Sequence, residues 1–198
     1  MSDLQIVYHP HPALRWKSKD VTRIDAQLKD WVSQMFDLMY EARGIGLAAN
    51  QVALPYRLFV INPAGNSDEA EHEQVFINPQ IVKRNGSEEA EEGCLSLPEI
   101  YGPVTRAERI TVEAFDLSGE EFTYELSGIH ARVVQHENDH LDGVMFTDRV
   151  TDATLQELSP LLDDLAGQMK RQQDEGKLPS DEALKAELQR LQDERTGG

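Results

Sequence analysis

The chain of 198 residues holds a single cysteine, Cys94. No intramolecular disulfide can form. This excludes the stapled frameworks of small secreted domains and fits a compartment where thiols stay reduced. Long hydrophobic runs are missing too, since nothing approaches the ~20 consecutive apolar residues of a membrane-spanning helix. The opening Met1-Ser2-Asp3-Leu4 lacks the basic and apolar regions of a secretory leader, so a cytoplasmic location is expected. Positive charge is scarce, with 19 Lys and Arg against 36 Asp and Glu and a net charge of −17. That balance argues against unspecific attraction to DNA or anionic membranes. No internal repeat is present. The remainder is the composition of a globular protein long enough for one well-cored domain and an appendage.

The most informative stretch present is Gln135-His136-Glu137-Asn138-Asp139-His140. It contains H-E-x-x-H. On an α-helix, positions i and i+4 lie ~40° apart around the axis and ~6 Å apart along it. Both imidazoles can therefore reach one metal ion, with Glu137 beside them to handle a proton on metal-bound water. Ser127 is placed as N-cap, no proline interrupts Ile129 to Leu141, and Gly143 suits a helix stop.

A catalytic metal usually takes three protein ligands and keeps one open position. No histidine follows His140, and the downstream acids Asp142, Asp148, Asp152 and Glu157 carry no motif that singles one out. Upstream lies Glu92-Gly93-Cys94-Leu95-Ser96-Leu97-Pro98. A lone cysteine is usually a small buried hydrophobe. Here Gly93 permits close backbone approach, and Pro98 is expected to end strand pairing. Cys94, His136 and His140 then make a Cys-His-His set with a free fourth site, suited to Zn²⁺, Ni²⁺, Co²⁺ or Fe²⁺.

Three segments together resemble the signature motifs of the peptide deformylase family, in that family's order: Gly44-Ile45-Gly46-Leu47-Ala48-Ala49-Asn50-Gln51, the Cys94 segment, and Gln135 to Gly143. The opening Tyr8 to Arg15 is also similar, so the resemblance covers roughly residues 4 to 150. It implies removal of the N-formyl group from the methionine of nascent chains, with Fe²⁺ as the physiological ion. It also implies Cys94, His136 and His140 as ligands and Glu137 as general base. The Gln51 amide and the Leu95 N–H are implied as donors to the oxyanion. Family members work at the ribosome. The alternative is a zincin-like metallopeptidase, which would need a downstream third ligand. Ile129 and Val133, at −7 and −3 from His136, are placed either to wall the methionine pocket together with Ile45 or to pack in the core. Gly44 and Gly46 are expected to let this segment run close to the substrate backbone. Where many family members carry an arginine after the cysteine motif, this chain has Tyr101, so contacts beyond methionine are expected to differ.

Periodicity supplies the frame. Asp25 is placed to cap a helix reaching about Arg43, with Leu28, Trp31, Val32, Met35, Phe36 and Met39 as its apolar stripe and Gly44 as its stop. Arg57 to Asn62 and Val75 to Val82 read as strands around an acidic, mobile loop from Gly65 to Glu73. Glu108 to Asp116 and Glu121 to Leu126 read as a hairpin through Ser118-Gly119. The expectation is an α+β fold of small antiparallel β-sheets packed around the metal-binding helix, with residues 1–150 as the catalytic domain. Residues 151–198 form a helical extension, one helix opening at Ser159-Pro160 and another carrying Leu184, Leu188 and Leu191. With 11 acidic and 6 basic residues, this extension is unsuited to direct docking on rRNA.

Overall fold

The structure is a computed structural model describing residues 4–196. The opening Met1 to Asp3, read above for its lack of a leader, lies outside the described residues, as does the terminal Gly197-Gly198. Helix α1 spans Ala26–Glu41, and the Asp25 side chain accepts from the Leu28 N–H as its cap. Its whole expected stripe is buried. Continuous apolar runs build β1 (Gly46–Ala48) and β2 (Leu58–Ile61), and the longer strands β3 (Gln74–Asn85), β6 (Arg109–Phe115) and β7 (Glu121–Ser127) join them. These form one five-stranded antiparallel sheet in the order β1-β2-β3-β6-β7. A separate hairpin joins β4 (Glu88–Cys94) to β5 (Leu97–Arg106).

Helix α2 (Gly128–Leu141) follows β7 without a loop, since Gly128 at φ +57° turns the strand into the helix. It lies across the sheet. Ala131, Val133, Val134 and Leu141 pack on Ala48, Phe59, Ile61, Phe76, Ile110, Val112 and Ala114. The hairpin closes the opposite side through Leu97, Ile100 and Val104, which meet Leu14, Met145, Phe146 and Leu158. The result is an α+β fold with two antiparallel sheets around one central helix.

Several local expectations need correction. Helix α1 ends at Glu41, and the left-handed residue beyond it is Arg43, at φ +56°, not Gly44. The stripe ends at Met39, so the stop comes where burial ends. The segment after Gly65 contains 3-10 turns over Ser67–His72, with a kink at Glu69. Asn62 Nδ2 donates to the carbonyls of Asn66 and Glu69 at 3.2 Å each, and Tyr40 donates to Glu73 at 2.8 Å. Polar tethers of this kind leave no hydrophobic period to read. Pro98 does not end pairing. It sits in β5 where the register jumps from Cys94↔Leu97 to Gly93↔Tyr101, and such a bulge tolerates a missing N–H. Ser127 occupies the N-cap of α2, yet its side chain makes no capping bond.

The extension also differs. Helix α3 runs unbroken over Asp152–Asp174, capped by Thr151, with Pro160 inside it. Pro160 and Gln156 are both exposed, so the carbonyl deprived of its partner lies on the solvent side. After the break at Gly176 (φ +70°), helix α4 (Asp181–Thr196) returns to the body. Leu188 is buried and Leu191 packs against the α1 core. Trp16 donates to Gln192 at 3.1 Å, and the Tyr56 and Thr22 hydroxyls donate to the Leu191 and Arg195 carbonyls. Arg195 lies 4.5 Å above the Trp31 ring and donates to Asp25 at 2.7 Å and Gln27 at 2.9 Å.

Helix α4 is therefore pinned to the N-terminus of α1 by one buried guanidinium. Arg195→Ala removes a charged hydrogen-bond set and a cation–π contact, together worth about 2–4 kcal/mol. The melting temperature is expected to fall by roughly 4–16 °C for a chain of this size, read by circular dichroism.

Candidate active site

The hairpin and the central helix bring three donors together. Among the described residues, Cys94, His136 and His140 form a group whose ligand atoms lie within 4.8 Å of one another, with His140 buried and Cys94 and His136 partly buried. Cys94 Sγ is 3.3 Å from His140 Nε2, which is 3.2 Å from His136 Nε2. The edge of a tetrahedron with metal–nitrogen bonds near 2.1 Å is ~3.4 Å, so these spacings fit one divalent cation. Two ring nitrogens that face each other at this distance need something positive between them. The donor set of one thiolate and two imidazoles fits a transition metal.

Glu92 supplies what the sequence motifs alone did not. Its Oε2 meets His136 Nδ1 at 3.0 Å, which directs Nε2 to the centre. The same carboxylate accepts from Arg106 Nε and Nη2 at 2.6 and 2.8 Å and from Arg132 at 2.6 Å. Burial opposes its charge, but the bonds from His136 and Arg106 win and hold it down at about 2. Arg106 also binds Asp139 at 2.7 Å, and Arg149 pairs with the same carboxylate. One clue to Glu92 was available beforehand: on β4 it stands two residues before Cys94 and therefore on the same face.

Burial drives the protonation pattern. It raises the Glu137 carboxyl to about 7, against the partial compensation of His136 and Arg106. Glu137 Oε2 is buried without a hydrogen-bond partner among the described residues. Burial also lowers His140, helped by the charges of His136 and Arg106. Asn50 holds the other side of α2 in place by donating to the His140 carbonyl.

Gln51 is fixed at both ends. Its Oε1 accepts from the Ala48 N–H at 2.8 Å, leaving Nε2 aimed at Cys94 Sγ (3.4 Å) and Ser96 Oγ (3.2 Å). A cleft of about 690 Å³ opens over this cluster. Gln51, Cys94, Leu95, His136 and Glu137 line it, as do Ile45, Gly46, Ile129 and Val133. Ile129 is half exposed and Val133 is buried. The glycines serve close packing. A Cβ at Gly46 would lie 2.5 Å from Glu137 Oε1 and 2.9 Å from Val133 Cγ1, and one at Gly44 would lie 2.7 Å from Leu95 Cδ1. Of the downstream acids, Asp142 pairs with Arg57 and Asp148 with Arg15.

The model of the family described as polypeptide deformylase matches residues 3–156. The chain belongs to that family. It is 44% identical over 195 residues to a peptide deformylase of Rhodopirellula baltica, covering 98% of this chain and 96% of that one. Peptide deformylase 1B of Arabidopsis thaliana, a chloroplastic/mitochondrial protein, is 43% identical over 188 residues, 94% of this chain and 67% of that one. A Plasmodium falciparum peptide deformylase structure aligns with a TM-score of 0.82 at 40% identity, over 84% of this chain and 98% of that one. A deformylase is a hydrolase that removes the N-formyl group from nascent peptides, and that is the activity of this chain. Nothing favours the zincin alternative: the third donor of the cluster is the upstream Cys94. No helix among the described residues is long and apolar enough to cross a membrane.

Because Glu92 orients the His136 ring of the donor cluster, Glu92→Gln is expected to weaken metal retention by about 10–100-fold. Competition with a chelator measures this. Retention equal to that of the parent protein would show that the His136 ring is held by packing alone.

Proposed function

We propose that Cys94, His136 and His140 hold a single Fe²⁺, and that Glu137, Gln51 and the Leu95 N–H perform deformylation around it. Zn²⁺, Ni²⁺ or Co²⁺ suit the same donors. The observation that carries this reading is the convergence on one cluster of the unpartnered Glu137 oxygen and the Gln51 amide. A bound divalent ion supplies Lewis acidity, which makes hydroxide available near neutral pH.

Glu137 takes the proton of the attacking water and later delivers it to the departing methionine amine. Its raised value, about 7, suits both transfers. The carbonyl oxygen becomes an oxyanion as the water adds. The Gln51 Nε2–H, already held by the Ala48 bond, donates to it, together with the Leu95 backbone N–H. Ser96 and Ala48 keep Gln51 from turning away. Ile45, Ile129 and Val133 give an apolar wall for the methionine side chain, while Gly46 leaves room for Glu137. The site is cramped, so a formyl hydrogen fits where an acetyl methyl would be crowded.

Under this reading residues 1–150 are the catalytic domain and 151–198 an appendage. Nascent formyl-Met peptides are the substrates, met in the cytoplasm at the ribosome. The acidic extension speaks against direct rRNA contact there. A thiolate ligand also suits a reducing compartment.

Incubation with formyl-Met-Ala-Ser, acetyl-Met-Ala-Ser and a long unmodified peptide tests the chemistry. Formate from the first peptide alone is expected, and cleavage of the long peptide would point to the protease class instead. Elemental analysis of protein purified without oxygen is expected to find iron at about one ion per chain. Glu137→Gln keeps its size and cannot take the proton, so kcat should fall by ~10²–10⁴ with metal content preserved. Activity within threefold of the parent would remove Glu137 from the role of base.

A further inference from the structure

Helix α2 ends at Leu141, so the carbonyls of its last turn lack partners within the helix. Two residues from elsewhere in the chain come to them. Asn50 Nδ2 donates to the His140 carbonyl, and the Ser18 N–H donates to the Leu141 carbonyl at 2.9 Å. Asn50 sits in the 3-10 turn Ala49–Val52, next to Gln51. One turn of chain therefore touches the donor cluster twice, with Gln51 reaching Cys94 and Asn50 reaching His140. Ser18 is 3% exposed, although Lys17 and Lys19 on either side of it are exposed.

Each of the three residues at this helix end keeps a buried polar atom without a hydrogen-bond partner among the described residues: His140 Nδ1, Asn50 Oδ1 and Ser18 Oγ. They are three of the six such side-chain atoms there, and they gather around two consecutive carbonyls. Their chemistry is complementary. His140 turns Nε2 toward Cys94 Sγ and His136 Nε2. A neutral imidazole that offers the lone pair of Nε2 carries its proton on Nδ1, so Nδ1–H is a buried donor. The Asn50 amide is fixed one way round, because flipping it would set Oδ1 against the His140 carbonyl. Oδ1 is thus a buried acceptor, and the Ser18 hydroxyl accepts as well.

We propose that one buried water joins His140 Nδ1–H to Asn50 Oδ1 and Ser18 Oγ, and that Asn50 and Ser18 are thereby positioning residues for the His140 ring. The water accepts from the ring and donates to both side chains, which gives it the roughly three bonds usual for a buried water. Such an anchor fixes the tautomer that leaves Nε2 free for the cluster. It also makes the two imidazoles unequal, since His136 leans on the Glu92 carboxylate and His140 on neutral partners. The inference rests on the proposed single-ion site and deepens it, because it assigns to His140 the outer partner that His136 finds in Glu92.

A crystal structure of the Ni²⁺-loaded full chain tests the water directly. One ordered water within about 3.2 Å of all three atoms is expected. An occupied ion site without that water overturns the proposal, whereas a chain that takes up no ion overturns the single-ion reading instead. Variants test the positioning role. In competition with a chelator, Ser18→Ala is expected to weaken metal retention by about 2–10-fold, the size of one neutral hydrogen bond. Asn50→Leu removes the acceptor and the tie to the carbonyl together, and should weaken it by about 10–100-fold. With Co²⁺ at full occupancy both variants should shift the visible absorption of the ion, because a turned ring changes the ligand field. A merely structural role leaves that spectrum as in the parent. Circular dichroism reports folding, and Ser18→Ala carries the test if Asn50→Leu does not fold. Retention and spectrum both unchanged in the folded variants overturn the positioning role.

Discussion

The buried carboxylate of Glu92 is the tie on which the site depends. It joins the β4–β5 hairpin to helix α2 by accepting from His136, Arg106 and Arg132 at once. Cys94 comes from the hairpin and both histidines from the helix, so the donor cluster persists only while these two elements keep a single relation. Apolar packing alone would allow small slides between them. A charged network with directional bonds does not, because breaking one partner of a buried pair leaves an uncompensated charge, at a cost of about 3–5 kcal/mol. Arg106 extends the tie to Asp139, on the helix turn between the two ligands.

Close approach is the second constraint. β1 must pass α2 near enough to bring the Gln51 amide to Cys94, and Gly46 is where β1 meets the Glu137 and Val133 side chains. The contact of Gly46 with Glu137 and Val133 leaves no space for a methyl group. Burial there has a chemical consequence as well. It is the first cause of the raised Glu137 value, about 7, so the packing around the carboxylate sets its protonation near neutrality.

The C-terminal helix acts far from this chemistry. It returns to the N-terminus of α1, where Asp25 serves both as helix cap and as partner of Arg195. The cation rests on Trp31, beside Tyr56. An acidic helix with a thin apolar seam is thereby held by a few polar anchors at its last turn, where its carbonyls accept from Tyr56 and Thr22.

What the sequence by itself determined is whatever obeys a short period. The i, i+4 spacing of His136 and His140, the stripe of α1 and the alternation of β6 and β7 each describe one element with one face, and each was legible. The place of Cys94 in the donor cluster was legible through its local motif and the family resemblance it carries. Interactions between elements distant in the chain have no period. The partner of His136 is 44 residues away, the anchors of Arg195 are about 170, and the tethers of the Ser67–His72 turn are side chain to backbone. Pro98 in a strand and Pro160 in a helix follow the same logic, since a bulge and a solvent-facing carbonyl remove the cost that the local rule assigns to proline. Tertiary structure decided these because hydrogen-bond satisfaction and packing are settled between surfaces, after each element has formed its own.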